Sequence, residues 1–211
     1  METKKSMTEA TRARYNRIAP LYDAMELMAE RSFSPWRKKL LSRVKGKILE
    51  IGVGTGKNFP YYPHGADVTG LDIADKMLAR AKKRAAKMNF PIELTEGDVQ
   101  HLIFPDNHFD TALATFVFCS VPDPVRGLQE LRRVVRSEGQ ILLLEHVRID
   151  NPVIGPLMDF LNPLVVRIMG ANINRRTIDN VRKAGVGIED IEDFGLMGIV
   201  KMIVAKANKT S

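Results

Sequence analysis

The chain has 211 residues, of which 45% are hydrophobic and 27% are charged, as is usual for a globular protein. This composition excludes a disordered tail, a collagen-like chain and a disulfide-stapled mini-domain, and the length predicts one domain over residues 1–211. Because 32 basic residues outnumber 25 acidic ones, the net charge is +7, which favours a phosphate-bearing partner such as a membrane, a nucleic acid or an anionic substrate.

Cysteine usage and hydropathy predict a cytoplasmic protein. Cys119 is the one cysteine of the sequence, which excludes an intrachain disulfide and a cysteine metal cluster. The first residues are basic and contain no apolar run of signal-peptide length, and no stretch reaches the roughly 20 apolar residues of a membrane span. The histidines have no ligand spacing, so we expect no metal site.

From residue 47 onward, short apolar runs alternate with helical patterns, which is typical of βαβ units that build a parallel sheet. The predicted strands are 47–51, 67–71, 92–95, 109–115 and 140–146. The predicted helices between them are 75–88 and 124–135, with a turn at 137–139. Two last strands, 188–193 and 198–205, are expected to complete the sheet in antiparallel direction.

Two segments interrupt this alternation. Residues 8–45 are amphipathic helical sequence, and residues 148–174 combine prolines with apolar side chains. Long extra elements of an α/β domain usually lie over the carboxyl ends of the strands, where ligands bind. We therefore predict an N-terminal lid (8–45), a core (46–147), a lid insertion (148–174) and a C-terminal helix with closing strands (175–206).

A glycine-rich turn follows the first predicted strand. Gly52, Gly54 and Gly56 come after Glu50, and glycines at such a turn let the backbone approach a ligand. A dinucleotide fingerprint would need a glycine where Lys57 stands. A P-loop would need four residues between its glycines, but Gly52 and Gly56 enclose three. Both phosphate motifs are excluded, and a compact nucleoside remains.

The next two strands end in acidic residues. Asp72 ends the second strand, where a carboxylate can accept hydrogen bonds from both hydroxyls of a ribose. Asp98 and Val99 follow the third strand, where an acceptor beside a backbone N–H can read the amino edge of an adenine. In the alternative interpretation, Asp72 caps the next helix and Asp98 is a turn residue.

In this order, the motifs resemble those of the class I S-adenosylmethionine-dependent methyltransferases over nearly all of residues 15–205. The resemblance implies an α/β, Rossmann-like methyltransferase fold with a mostly parallel seven-stranded sheet, helices on both faces and lids over the strand ends. It implies S-adenosyl-L-methionine as the cofactor. The cofactor-binding residues that it implies are Tyr15, Glu50, Gly52, Gly54, Gly56, Asp72, Ile73, Asp98, Val99 and Thr115.

A finer resemblance lies in residues 15–23, 119–124 and 144–147. It is to the branch of quinone-biosynthesis C-methyltransferases, bacterial phosphatidylethanolamine N-methyltransferases and membrane-associated thiol methyltransferases. This implies a lipid-like or small-molecule acceptor, with N-methylation of a phospholipid amine preferred and C-methylation of a quinone precursor or S-methylation of a thiol as alternatives. An RNA methyltransferase and a non-catalytic cofactor-binding scaffold are further alternatives. Against the RNA methyltransferase, this chain has residues 119–122 at the fourth strand end and no Asn-Pro-Pro-Tyr-like tetrapeptide. Against the scaffold, the motif glycines are intact, although a scaffold would tolerate their loss.

Two residues are candidates for catalysis. His146 ends the fifth strand, where it could orient or deprotonate an acceptor. Tyr22 lies seven residues after Tyr15, so both can share one helix face, and the resemblance implies that these tyrosines close over the cofactor or the acceptor. The alternatives are a structural histidine and core packing of the tyrosines.

Residues 31–47 contain seven basic and no acidic side chains, interleaved with Phe33, Trp36, Leu40 and Leu41. This pattern predicts a face that meets an anionic membrane with apolar anchors, so that the protein is peripheral on the inner face of the membrane. The alternative is a solvated basic helix face. The sequence leaves the oligomeric state open.

Overall fold

The structure, a computed structural model, describes residues 4–25 and 27–209. A seven-stranded sheet forms its centre. In chain order, the strands are β1 (Lys47–Ile51), β2 (Asp67–Asp72), β3 (Ile92–Glu96), β4 (Phe109–Thr115), β5 (Val135–His146), β6 (Gly187–Phe194) and β7 (Val200–Lys206). Across the sheet they follow the order β3-β2-β1-β4-β5-β7-β6. Strands β1 to β5 pair in parallel, and β7 pairs antiparallel with β5 and β6. The predicted α/β, mostly parallel fold is confirmed.

Helices cover both faces of the sheet. They are α1 (Lys4–Met25), α2 (Leu27–Leu41), α3 (Asp75–Ala85), α4 (Pro124–Val134), α5 (Ile154–Met169) and α6 (Thr177–Lys183), with short 3-10 turns at Phe59–Tyr61 and Leu196–Gly198. Alternate residues of β5 point to opposite faces. The core on one face includes Leu40, Leu41, Leu78, Ala81, Leu142 and Leu144 of α2, α3 and β5. The core on the other face includes Leu128, Leu131, Val181, Ile141 and Leu143 of α4, α6 and β5.

Two element boundaries differ from the sequence prediction by three residues or more. Helix α3 ends at Ala85, three residues before the predicted end at residue 88. Strand β5 begins at Val135, which pairs with Phe109, whereas Gln140 pairs with Thr111. The extra residues between these two pairs bulge out of the ladder, so residues 137–139 belong to an irregular strand and do not form the predicted turn.

The segment 8–45 does not act as one lid. Helix α1 lies over the carboxyl edge of the sheet, where Tyr15 contacts Ser120 after β4. Helix α2 instead packs on a face of the sheet, because its residues Leu40 and Leu41 are completely buried in the core. The second half of the predicted lid is therefore a core helix.

Burial of α2 also changes the interpretation of residues 31–47. Trp36 packs against Phe194 with ring centroids 5.4 Å apart, and Arg37 is only 5% exposed. Lys39 pairs with Glu192 at the sheet edge. The prediction that Trp36 and the leucines of this segment anchor the chain in a membrane is wrong, because the leucines are buried in the core and Trp36 packs, partly buried, against it. Within the described part of the chain, every helix is too short or too polar to span a bilayer.

Candidate active site

A cavity, here called the edge cavity, opens at the carboxyl ends of β1 to β4 under α1. Parallel strands bring their carboxyl ends together at this edge of the sheet, which is why residues distant in sequence meet there. The predicted site residues that line the edge cavity are Tyr15, Tyr22, Gly52, Gly54, Asp72, Ile73, Asp98, Val99 and Thr115. Three predicted residues, Glu50, Gly56 and His146, are not part of its lining.

The glycine turn presents bare backbone to the edge cavity. Gly52, Gly54 and Gly56 all have positive φ angles, of 60°, 55° and 82°. A Cβ on Gly54 would meet no atom within 4 Å and would project into open space. A Cβ on Gly56 would collide with the ring of Phe59. The absence of a side chain at Gly54 therefore leaves space for a ligand, whereas its absence at Gly56 leaves space for the Phe59 ring of the core.

Asp72 fixes this turn. Its Oδ2 accepts a hydrogen bond of 2.7 Å from the Gly54 N–H, and its Oδ1 accepts one of 2.8 Å from the Ala74 N–H. Burial raises the pKa of Asp72, and the hydrogen bonds from these N–H groups oppose the rise. Each carboxylate oxygen keeps a further lone pair, so Asp72 can hold the turn and accept from a ribose hydroxyl at the same time.

The loop after β3 is built around Asp98. Its Oδ1 accepts hydrogen bonds from the backbone N–H and the Nε2 of Gln100, at 2.9 and 3.0 Å. The same Nε2 donates to Thr8 of α1 at 3.1 Å. Gln100 lines the edge cavity, although the sequence analysis did not select it. This residue ties the adenine side of the predicted site to α1.

Glu50 does not face the edge cavity, contrary to the role that the resemblance implied. Its side chain is 1% exposed and accepts hydrogen bonds from Asn58 Nδ2 and Tyr62 Oη, both at 2.8 Å. Burial raises the pKa of Glu50 to about 7, while these hydrogen bonds oppose the rise. Glu50 therefore stabilises the glycine turn from the core side and does not contact the edge cavity.

Arg37 is a residue of this network that the sequence analysis placed on the surface. Its Nη1 donates to Asn58 Oδ1 at 2.9 Å and to Thr115 Oγ1 at 2.8 Å. Its Nε lies 3.5 Å from Glu30 Oε1. The sequence does carry a signal for this burial, because Arg37 and Leu40 follow Phe33 at the spacing of one helix face.

Polar contacts fasten α1 over the edge cavity. Tyr15 Oη and Ser120 Oγ are 2.6 Å apart, at the cavity wall. Asp23 accepts hydrogen bonds from Thr55 Oγ1 at 2.6 Å and from Arg80 Nη2 at 2.9 Å. Because these contacts join α1 to β4, the glycine turn and α3, a ligand in the cavity would be shielded from water.

The two candidates for catalysis lie in different places. Tyr22 lines the edge cavity. His146 lies behind Phe116, with ring centroids 5.0 Å apart, and it also contacts Phe33 at 6.0 Å. Burial lowers the pKa of His146. The structure therefore does not bring the His146 imidazole to the cavity, because the Phe116 ring occupies the lining position.

Glu145 shapes the end of β4. Its Oε1 accepts hydrogen bonds from the N–H groups of Val117 and Phe118, at 2.9 and 3.1 Å. These bonds hold the turn in which Phe116 adopts a left-handed φ of 58°. Burial raises the pKa of Glu145 to about 7, and the hydrogen bonds from the backbone oppose the rise. This carboxylate positions the cavity wall.

A doubly wound sheet of this strand order, with a glycine turn and a cavity at its carboxyl edge, is the architecture of the class I methyltransferases. The family model for a methyltransferase domain matches residues 49–143. A phosphatidylethanolamine N-methyltransferase of Cereibacter sphaeroides is 42% identical over 114 residues, which are 53% of this chain and 55% of that protein. A demethylmenaquinone methyltransferase of Lactobacillus johnsonii is 34% identical over 175 residues, which are 76% of this chain and 71% of that protein.

Solved structures show the same fold. A S-adenosylmethionine-dependent methyltransferase of Thermotoga maritima, a possible histamine N-methyltransferase, superposes with a TM-score of 0.72 at 21% identity. The match covers 94% of this chain and 100% of that one. The chain belongs to the class I S-adenosylmethionine-dependent methyltransferases, and its cofactor is S-adenosylmethionine.

The cofactor supplies a methyl group on a sulfonium, which is already electrophilic. The chain has to align the cofactor and the acceptor and exclude water, and such positioning can contribute roughly 7–11 kcal/mol. Aromatic rings of Tyr15, Tyr22 and Phe116 line the edge cavity, and their faces favour a positive charge. Residues 4–25 and 27–209 contain no group of three His, Cys, Asp or Glu side chains that could hold a metal.

Replacing Asp72 with alanine is expected to weaken binding of S-adenosylhomocysteine by roughly 1–3 kcal/mol, the cost of losing hydrogen bonds to a charged acceptor. Titration calorimetry measures this loss. Asp67→Ala, at the exposed amino end of β2, is the matched control and should bind as the wild type does. A fall in turnover at unchanged cofactor affinity would assign Asp72 another role.

Proposed function

We propose that this methyltransferase transfers the methyl group to the amine of a phospholipid head group of the phosphatidylethanolamine type. The observation that carries the proposal is the apolar surface of α5. Its exposed apolar residues are Leu157, Phe160, Leu161 and Leu164, and Val153 directly before the helix is exposed as well. Phe160 alone is 80% exposed. Soluble monomers rarely leave such a helix face bare, and apolar helix faces of this kind bind membranes, where a lipid acceptor is found.

Helix α5 also reaches the region of the edge cavity. Its end at Val166 and Gly170 lies beside Arg14 of α1, the helix that covers the cavity. Its other end is fastened by Arg148, whose guanidinium pairs with Asp159 at 2.9 Å. In the proposed arrangement, α5 rests on the bilayer and the head group enters the cavity beside it.

The relatives support two acceptors to different degrees. The relative that is 42% identical is a phosphatidylethanolamine N-methyltransferase, which favours the amine lipid. The demethylmenaquinone methyltransferase matches over a longer part of both chains, which favours C-methylation of a quinol as the second candidate. Both acceptors carry long apolar chains and lie in the membrane, so the apolar face of α5 suits either one.

An amine must lose a proton before it attacks the methyl group. We propose that the ammonium proton leaves to water, and that Tyr22, which lines the edge cavity, is the catalytic residue that orients the resulting amine through a hydrogen bond to its hydroxyl. His146 acts in this proposal as a positioning residue that supports Phe116. Tyr15 and the glycine turn with Asp72, Ile73, Asp98, Val99 and Thr115 bind the cofactor.

The acceptor is tested by incubating the protein with S-adenosylmethionine labelled in its methyl group. Separate reactions contain vesicles of phosphatidylethanolamine, a demethylated quinol, a small thiol or RNA. We expect label in the amine lipid, first as the monomethylated head group. Label in the quinol or the thiol with none in the lipid would replace the proposed function with the corresponding alternative.

The membrane contact has a test of its own. When phosphatidylethanolamine vesicles are sedimented, the double variant Leu157→Asp/Phe160→Asp is expected to stay in the supernatant. The reason is that each apolar side chain buried in the bilayer contributes about 1.5–3 kcal/mol to binding. Ile103→Asp is the matched control, since Ile103 is 77% exposed in the loop before β4. Equal sedimentation of wild type and double variant would exclude α5 as the contact.

A further inference from the structure

A second cavity adjoins the edge cavity. It lies between α1, the end of α5 and the residues that follow β4, and we call it the arginine crevice. Its lining residues include Arg14, Gly170, Asn172 and Arg175. Both cavities are lined by Thr11, Ser120, Val121 and Pro122. These shared residues form the boundary between the two cavities, so the edge cavity and the arginine crevice are direct neighbours.

The charged residues that line the arginine crevice are basic. Arg14 and Arg175 are its charged lining residues, and no carboxylate belongs to the lining as far as the described chain shows. Neither guanidinium forms an ion pair with an acidic side chain of residues 4–25 or 27–209. Two cations without counterions at one cavity favour an anionic ligand.

Arg175 is only partly satisfied by the protein. Its Nη2 donates to the carbonyl oxygens of Cys119 and Val121, at 3.2 and 3.0 Å. Its Nε is buried and has no hydrogen-bond partner. A guanidinium that the protein satisfies only in part is stabilised by an anion placed against its remaining accessible N–H groups.

Gly170 makes space for the Arg14 side chain. Gly170 follows α5 with a φ of 81°, and a Cβ at this position would collide with the Arg14 side chain. The glycine therefore allows the stem of Arg14 to lie across the end of α5. Arg14 lines the arginine crevice together with Ser120, Val121 and Pro122 of the loop after β4.

The Glu145 carboxylate interacts electrostatically with the Arg175 guanidinium, but the two groups lie beyond ion-pair distance. Its Oε1 is occupied by backbone N–H groups, and burial raises its pKa to about 7. Burial also lowers the pKa of Arg175, and the Coulombic attraction of Cys119 and Glu145 opposes this fall. The protein therefore offsets the positive charge at the crevice only in part.

We propose that the arginine crevice binds the phosphate group of the acceptor, with Arg14 and Arg175 as its ligands, while the acceptor amine lies in the edge cavity. The proposal rests on the proposed function. Planar guanidinium forks match the oxygens of a phosphodiester, and the ethylene link of an ethanolamine phosphate keeps amine and phosphate close. A quinol carries no such anion. The crevice thereby favours amines that bear a phosphate next to them.

Binding is tested without turnover, by titration calorimetry in the presence of S-adenosylhomocysteine. The probes are glycerophosphoethanolamine, inorganic phosphate and ethanolamine. We expect glycerophosphoethanolamine to bind the wild type, ethanolamine to bind at least tenfold more weakly, and Arg14→Gln to lose at least tenfold in affinity for glycerophosphoethanolamine. Arg17→Gln removes an equal charge from an exposed position of α1 and should bind as the wild type does. Equal affinity of wild type and Arg14→Gln for glycerophosphoethanolamine would overturn the proposal.

Inorganic phosphate separates two sources of the anion. Competition by phosphate at concentrations similar to those of glycerophosphoethanolamine would show a site for free phosphate and overturn the assignment to the acceptor. Arg175→Lys is the second variant, since it keeps the charge but loses the Nε donor, and it should also weaken binding of glycerophosphoethanolamine. Affinity for S-adenosylhomocysteine should stay unchanged in both variants.

Turnover on phosphatidylethanolamine vesicles completes the experiment. Arg14→Gln should raise KM more than it lowers kcat. Phosphoester binding through Arg14 by a protein that methylates no amine lipid would reject the proposed function and keep the phosphate site. Methylation of the lipid with the same KM in wild type and Arg14→Gln would keep the function and reject the phosphate site.

Discussion

Replacing Gly54 with valine is expected to abolish binding of S-adenosylmethionine and S-adenosylhomocysteine while the chain stays folded. Gly54 has a φ of 55°, and its missing side chain would point into the edge cavity. The valine side chain would take up space beside Asp72, whose Oδ2 accepts from the Gly54 N–H. Titration calorimetry should detect no heat of binding, because the ligand and the side chain require the same space.

A matched control separates this steric effect from backbone strain. Gly65 has a φ of 74°, and a Cβ there would also meet no atom within 4 Å, but it lies in an exposed loop before β2. Because a left-handed residue with a side chain costs roughly 1–2 kcal/mol, Gly54→Val and Gly65→Val should lose similar stability in thermal unfolding. Gly65→Val should bind the cofactor normally. A folded Gly54→Val protein with wild-type affinity would disprove the role given to the turn.

The first four strands could be predicted from the sequence to within one residue. Buried parallel strands are short continuous apolar runs bounded by turn residues, and Lys47–Ile51 and Phe109–Thr115 have this pattern. The start of β5 could not be predicted, because the residues after Val135 are polar and bulge out of the ladder. Such a bulge depends on pairing with Phe109, which lies far away in the sequence.

The sequence can place those site residues that belong to turns lining the edge cavity. Gly54 and Asp72 belong to turns at strand ends, so their location follows from the order of strands and turns. Glu50 and His146 lie on strands, where successive side chains point to opposite faces. The sequence places both residues near the correct edge, but the structure turns Glu50 into the core and puts Phe116 in front of His146.

Contacts that join separate elements were the hardest to predict. Gln100 enters the site because its amide reaches Thr8 and Asp98 together, and no local pattern records this meeting. The basic residues 31–47 were interpreted as one surface, although helix periodicity divides them between two environments. Lys38 is exposed, whereas Arg37 is buried against Asn58 and Thr115. Neighbouring residues of equal charge therefore have opposite roles.

Arg37→Glu is therefore expected to destabilise the fold strongly, whereas Lys38→Glu should have almost no effect. The new carboxylate would lie beside Glu30 and in electrostatic range of Glu50, in place of a guanidinium that both acids face. Breaking a buried ion pair costs about 3–5 kcal/mol. Thermal unfolding should show a Tm lowered by about 10 °C for Arg37→Glu.

Vesicle binding by the same two variants then separates folding from membrane contact. If the basic residues of this segment formed a membrane face, Lys38→Glu and Arg37→Glu would release the protein from anionic vesicles to a similar extent, since each basic residue near such a surface contributes about 1 kcal/mol. Because Arg37 is buried, we expect the two variants to release the protein from the vesicles to different extents. Arg37→Glu should lose cofactor affinity together with stability, because Thr115 lines the edge cavity and would lose one of its two hydrogen-bond donors, keeping only Asn58 Nδ2. An Arg37→Glu protein with wild-type Tm and cofactor affinity would show that Arg37 does not hold this network.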